Sequence, residues 1–282
     1  MPYSTAGARV VIADSDSGRR ATLSGIVRRF DASARIRETD AGPELIEIIR
    51  AEKPTTAFVG FQLAGLSGPE AVAVSRKTGG VLGSLVLITA RVMPQWQDLA
   101  TSLGAYEVLK TPLDPAHIES LMHADARRRQ PTRILLASSS ENGRNAIGRV
   151  LARSGFNFVV EETDDGRHAL KQLSLAQYDL AFIDAKLGGL DGLELACQAQ
   201  PLGLSTRITL LTAGDPEPIA QAARFFGVDS ILRMPFYARD IDLALHHALG
   251  LRRPYLLNAI TAPPAPTALL RIADLAPTRR TA

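Results

Sequence analysis

Short aliphatic runs alternate with amphipathic stretches along most of this chain. Val10–Ala13 (VVIA) is apolar without a break, the pattern of a strand buried on both faces of a sheet. Ser17–Phe30 follows with Leu23, Ile26, Val27 and Phe30 on one helical face. The alternation then predicts strands at ARIRE (34–38), TAFVG (56–60), SLVLIT (84–89) and YEVL (106–109). Helices are predicted at PELIEIIRAE, GPEAVAVSRK, PQWQDLATSL and DPAHIESLMHADARRR. Five strand–helix units in series imply an open parallel sheet covered by helices on both faces.

From Thr132 the same series begins again, from RILLA through FNFVVE, LAFID and RITLLT to SILR and a last helix, YARDIDLALHHAL. The two series keep register. Ser138 lies 124 residues after Asp14, Asp184 lies 124 after Gly60, and Gly192 lies 124 after Gly68. Thr212, Gly227 and Pro235 each lie 123 residues after Thr89, Gly104 and Pro112. One residue is therefore lost between the third helix and the fourth strand, and the rest reads as one domain written twice. The expected division is an N-terminal segment (1–8), a first domain (9–130), a second (131–250) and a tail (251–282).

The tail breaks the pattern. Pro263, Pro264 and Pro266 cannot lie inside a helix. Thr267–Leu275 predicts a short helix with Leu269, Leu270, Ile272 and Leu275 apolar, in a segment otherwise expected to be loose.

Composition changes this picture little. The chain has 282 residues, is 46% hydrophobic and carries a net charge of +3, much of it in the tail, so no broad nucleic-acid surface is expected. The Arg127–Arg129 run reads as the solvated end of a helix. The one cysteine, Cys197, excludes an intramolecular disulfide and reads as a small core residue in a reducing compartment. The N-terminus lacks the features of a signal peptide, and no apolar run is long enough to span a bilayer. His117, His123, His168, His246 and His247 lack the spacing of a metal site; His246 and His247 read as half-exposed, and Trp96 as locally packed.

Candidate chemistry centres on Asp184, delivered by Leu180–Ile183 to a strand tip ahead of the glycine-rich loop DAKLGGLDGLE (184–194). Function in open α/β sheets sits at the carboxyl ends of the strands. The first copy has GFQLAGLSGPE (60–70) in the same frame. With the strand-end Thr–Ala pairs (Thr89–Ala90, Thr212–Ala213) and the prolines that follow each fifth strand, each copy resembles the receiver domain of two-component response regulators. The resemblance covers about residues 8–128 and 132–249. It implies an α/β fold of two flavodoxin-like (βα)5 doubly wound sheets in tandem, strand order 2-1-3-4-5, with a Pro-rich tail.

The resemblance also implies where phosphoryl-transfer groups stand. A working receiver uses a third-strand Asp as nucleophile, Mg²⁺ held by that Asp and an acidic pair, a hydroxyl after the fourth strand, and a Lys after the fifth. In the first copy these positions hold Gly60 (the lost acceptor), Asp14 and Ser15, Thr89, and Thr111, with Lys110 one residue out of phase. In the second they hold Asp184 (the candidate phosphoacceptor), Ser138 and Ser139, Thr212, and Met234. The aromatic switch position on the fifth strand holds Val108 and Ile231, which are expected to pack inward.

The expectation is a non-enzymatic, cytoplasmic bacterial signalling protein, an atypical response regulator acting as a phosphorylation-independent interaction or scaffolding module. No cofactor is expected, beyond weak Mg²⁺ at Asp184 at most. Two alternatives stand beside it: a residual phosphoacceptor at Asp184 in a phosphorelay, and a small-ligand or nucleotide sensor in the vacated pockets. The implied partners are a histidine kinase, a phosphotransfer protein or another regulator, with no nucleic acid or membrane. The resemblance implies contact through the helix 4–strand 5–helix 5 faces (95–103 with 114–128, and 217–226 with 238–249), open to a partner or to a second copy; whether the protein dimerises is left open.

Overall fold

The computed structural model describes residues 7–91, 94–153, 156–252 and 268–274. They form two compact units, one on residues 7–130 with Arg252 and one on residues 131–251 with 268–274.

Unit 1 runs β1 (Arg9–Ala13), α1 (Ser17–Phe30), β2 (Arg35–Thr39), α2 (Gly42–Glu52), β3 (Thr56–Gly60), α3 (Gly68–Lys77), β4 (Ser84–Thr89), α4 (Pro94–Ser102), β5 (Glu107–Lys110) and α5 (Pro115–Arg128). Its strands are parallel in the order β2-β1-β3-β4-β5. Successive strand residues point to opposite faces, so one sequence builds two cores. Val10, Ile12, Phe58, Val86 and Ile88 pack against Leu23 and Val27 of α1 and Ile118 and Met122 of α5. Val11, Ala57, Val59, Leu85 and Leu87 pack against Leu45 and Ile49 of α2 and Val72 of α3.

Unit 2 runs β6 (Pro131–Ala137), α6 (Glu141–Arg153), β7 (Asn157–Thr163), α7 (Gly166–Leu175), β8 (Leu180–Asp184), α8 (Gly192–Ala199), β9 (Arg207–Thr212), α9 (Glu217–Phe225), β10 (Ser230–Arg233) and α10 (Ala238–Ala248). Its five parallel strands follow the same order as those of unit 1. Val108 and Ile231, on the fifth strand of each unit, are buried as expected.

A sixth strand extends the sheet of unit 2. β11 (Leu269–Arg271) pairs antiparallel with β10, followed by a short 3₁₀ turn at Ile272–Asp274. The helix expected at 267–275 is thus a strand where the chain is described. The reason lies in its neighbours: Leu269 joins the layer of Leu232, Ile241 and Leu245, while Ile272 joins the opposite layer with Ala223, Val228 and Ile231. An extended segment reaches both sides of the sheet edge, and tertiary burial overrides local helix preference. The rest of the tail, 253–267 and 275–282, lies outside the described residues.

Three smaller expectations also change. Cys197 is exposed, because the buried face of α8 is set by Gly192, Leu195, Ala196 and Ala199 and leaves position 197 outside. His246 is buried and its ring nitrogen Nδ1 lies 2.8 Å from the Asp242 carbonyl. The Arg127–Arg129 run is half-buried rather than solvated: Arg128 stacks on Tyr106 at 3.9 Å and donates to Ser84 Oγ, and Arg129 pairs with buried Asp125 at 3.1 Å. Burial raises the Asp125 pKa above the ordinary carboxylate range, against the pull of Arg129.

Candidate functional site: two clefts at the strand tips

Both units present a cleft where the carboxyl ends of their first and third strands meet. The approach of the third helix is set by glycine. A Cβ on Gly68 would collide with the Gly60 carbonyl oxygen, and one on Gly192 with that of Asp184. A side chain at either position would push the loop off the strand tip.

In unit 1 the acid stands on the first strand. Asp14 is 1% exposed and its Oδ1 accepts from the Asp16 backbone N–H at 2.8 Å. Arg19, early in α1, grips it with both arms of its guanidinium: Nη2 to Oδ1 at 2.7 Å and Nε to Oδ2 at 3.0 Å. Bidentate pairing of this kind is strong and directional. The hydrogen bond to Asp14 raises the Arg19 pKa further, so the cation is permanent. Asp16 caps α1 by accepting from the Arg19 backbone N–H, which lowers its own pKa, and it also pairs with Arg19 Nη1 at 2.9 Å. Across the cleft is Gly60, where an added Cβ would stand 2.9 Å from Asp14 Oδ2.

A cavity of about 420 Å³ opens beside this pair, walled by Arg19, Gly60, Phe61, Arg91, Trp96 and Thr111. Phe61 and Trp96 stack with ring centroids 4.0 Å apart. Thr89 is turned to its own loop, donating to the Arg91 carbonyl at 2.7 Å and accepting the Arg91 N–H at 3.1 Å. Thr111 is half-buried, while Lys110 is exposed at the end of β5.

In unit 2 the acid stands on the third strand. Asp184 is 6% exposed; its Oδ2 accepts from Ser138 Oγ at 3.1 Å and its Oδ1 from the Lys186 backbone N–H at 3.1 Å. Ser139 is exposed and donates to the Lys186 carbonyl at 3.3 Å. Thr212 Oγ1 accepts from the Gly214 N–H at 3.1 Å. Met234 is half-buried and Arg233 exposed. The structure thus brings Ser138 and Asp184 together, as it does Asp14 and Gly60.

Two features were not singled out from the sequence. The cavity wall of Arg19, Arg91 and Phe61, the last stacked on Trp96, is one. The other is a clasp common to both units: Arg20 donates to the Asp14 carbonyl at 2.6 Å and lies 3.8 Å from Glu38, while Arg144 donates to the Ser138 carbonyl and pairs with Glu162 at 3.1 Å. The 124-residue spacing relates both members of this pair, Arg20 to Arg144 and Glu38 to Glu162, and is the signal that could have found it.

Residues 134–246 match the family model of the response regulator receiver domain. Curated relatives agree. The response regulator MprA of Mycolicibacterium vanbaalenii is 34% identical over 123 residues, 44% of this chain and 52% of that protein. The transcriptional regulatory protein PdtaR of Mycobacterium tuberculosis is 28% identical over 126 residues, 45% of this chain and 60% of its own length. The chain thus spans about half the length of the curated relatives it matches. The fold is similar to that of a solved probable two-component system response regulator/GGDEF domain protein, with TM-score 0.61 and 16% identity, covering 86% of this chain and 98% of that one. The match to the receiver domain thus lies within unit 2. No helix among the described residues is long and apolar enough to cross a membrane.

Neither cleft has a donor set that suits Mg²⁺. That ion demands octahedral oxygen coordination, usually with carboxylates. In unit 1 the Asp14 oxygens are taken up by a guanidinium and a backbone N–H. In unit 2 Asp184 faces a hydroxyl where a second acid would be needed. Among the described residues no group of three or more His, Cys, Asp or Glu side chains is placed to hold a metal ion.

Proposed function

We propose that the chain is a phosphorylation-independent regulator of bacterial signal transduction, in which two receiver-like units serve as protein-binding modules without catalytic activity. The observation that carries this reading is the Arg19–Asp14 pair. A working receiver neutralises its acids with a metal ion that comes and goes. Here the neutralising cation belongs to the chain and is already seated. Gly60 offers no side chain to accept a phosphoryl group, and the acid of unit 2 lacks both a carboxylate neighbour and the cation after the fifth strand. Phosphoryl transfer depends on positioning and charge neutralisation, so these replacements remove most of what the reaction needs. No cofactor is required for this role.

Partners are then other signalling proteins, a histidine kinase, a phosphotransfer protein or a further regulator, met in the cytoplasm. Contact through the helix 4–strand 5–helix 5 face takes a different form in each unit. In unit 2 β11 covers the outer edge of β10, so a partner or second copy meets that strand. In unit 1, among the described residues, β5 pairs only with β4.

The test is incubation of the full chain with a small phosphodonor and Mg²⁺, and separately with candidate kinases, followed by intact-mass measurement of wild type and Asp184→Asn. An unmodified chain that still captures its signalling partners supports the reading. A labile phosphoryl adduct that disappears in Asp184→Asn sinks it and favours the second reading, a residual acceptor. The buried Asp184 carboxylate at the β8 tip gives that second reading its ground.

A further inference from the structure

The residues that distinguish the two clefts are not scattered. At the 124-residue spacing Arg19 corresponds to Gly143 and Phe61 to Ala185; at the 123-residue spacing Arg91 corresponds to Gly214, Trp96 to Ile219 and Thr111 to Met234. All five unit 1 residues line the one cavity of about 420 Å³. The framework around them, the Arg20 and Arg144 clasps and the glycines that admit the third helix, is the same in both units. Unit 1 thus has two aromatic rings, two guanidinium groups and a hydroxyl where unit 2 has glycine or aliphatic side chains.

These additions form a site of definite chemistry. The volume lies in the range of small-molecule pockets. Among the described residues Asp14 is the one acid on the cavity wall; Arg19 pairs with it and with Asp16 beside it, and Arg91 adds a second guanidinium to the lining. Arg91 is exposed at the mouth and Thr111 supplies a hydroxyl. Phe61 and Trp96, stacked on one another, both line the cavity and give it an aromatic wall against which a planar ring can pack. Gly60 keeps the floor open, because any side chain there would run into Asp14. We propose that the unit 1 cleft binds a small planar anion of the mononucleotide class, its base against the aromatic wall and its phosphate toward Arg91. This goes beyond the role of the units as protein-binding modules and gives unit 1 a chemical input.

Trp96 is the only tryptophan in the chain, so its emission reports this cleft alone. The full-length protein is titrated with AMP, GMP and UMP, and in parallel with inorganic phosphate and with adenosine. The expected result is a saturable change in Trp96 emission with at least one mononucleotide, about tenfold weaker for phosphate or nucleoside alone. Arg91→Ala and Gly60→Asp are each expected to weaken it by about tenfold or more, while Asp184→Asn leaves it unchanged. Far-UV circular dichroism checks that each variant is folded. Arg91→Ala changes an exposed side chain and carries the test if Gly60→Asp fails to fold. Absence of a saturable change up to about 1 mM of every mononucleotide would overturn the proposal, as would an equal response from wild type and Arg91→Ala. A response to phosphate as strong as to a nucleotide would overturn the planar class in favour of a plain anion. Partner capture and the mass measurement of phosphorylation are independent of these outcomes, so failure here leaves the reading of the units as binding modules standing.

Discussion

The two clefts each hold one buried acid, placed on opposite strands. Unit 1 keeps Asp14 at the tip of its first strand and has Gly60 on the third; unit 2 keeps Asp184 on the third and has Ser138 on the first. The buried charge is then handled differently. Unit 1 supplies a bidentate guanidinium, whereas unit 2 supplies one hydroxyl and one backbone N–H. A lone buried carboxylate needs either an opposite charge or enough hydrogen bonds. The pair of clefts shows both solutions on the same backbone, and only the first adds permanent positive charge at the strand tips.

The largest expected effect breaks the comparison at the sheet edge. Leu269→Asp with Ile272→Asp places carboxylates at two positions that are 7% and 5% exposed. Unit 2 should lose about 4 kcal/mol or more of stability. Trp96 emission should report an unchanged unit 1 transition while far-UV circular dichroism shows unit 2 melting earlier. Next, Arg19→Met leaves Asp14 buried without its cation. Because the Arg19 side chain is 36% exposed, the loss should be about 2 kcal/mol, below that of a fully buried pair, and Trp96 emission should follow it.

A third change would make unit 2 the working member. Ser138→Asp, Ser139→Asp and Met234→Lys together restore two acids and a cation around Asp184. The triple variant should take up a phosphoryl group from a small donor only with Mg²⁺ present, seen by intact mass and lost on adding Asp184→Asn. Ser138→Ala alone should cost about 1 kcal/mol, since Asp184 loses one of its two bonds.

The smallest effect is one of pH and again separates the units. Burial, assisted by the Glu161 hydrogen bond at 2.6 Å, pushes the Tyr178 hydroxyl from 10.0 up to about 12. The folded unit holds this proton more tightly than the unfolded chain. The stabilisation is therefore complete below pH 10 and is lost as pH rises toward about 12. Unit 1 has Pro54 at the corresponding position. Alkaline unfolding scans should show this loss in unit 2 alone, and Tyr178→Phe should flatten it.

Much of the fold was legible because it was written twice. Residue periodicity placed the ten repeated strands to within a few residues, and the fixed spacing aligned the strand tips. β11 was not legible: LLRI between prolines has no strand period, and its fold depends on a sheet edge distant in sequence. At the site, Asp14, Gly60, Thr111, Ser138 and Asp184 could be named from the sequence, whereas Arg19, Phe61 and Arg91 on the cavity wall could not, nor could the partners of the two acids. Ser138 meets Asp184 across 46 residues, and Arg19 reaches back to Asp14 from within α1. Both pairings come from how the loops close over the strand tips. Cys197 was legible in principle, since Gly192, Leu195, Ala196 and Ala199 already mark the buried face of its helix.

The position of β11 also sets an order of events during synthesis. The last helix of unit 1 ends at Arg128, whereas the last strand of the unit 2 sheet ends at Arg271. At roughly 5–20 residues per second a ribosome needs about 7–30 s to cover that distance. Unit 1 has that much longer to settle. Until β11 emerges, the outer edge of β10 is open to any extended chain nearby. Slowed translation between β10 and β11 would therefore lengthen the time for which this edge of unit 2 is open to misassembly on the polysome.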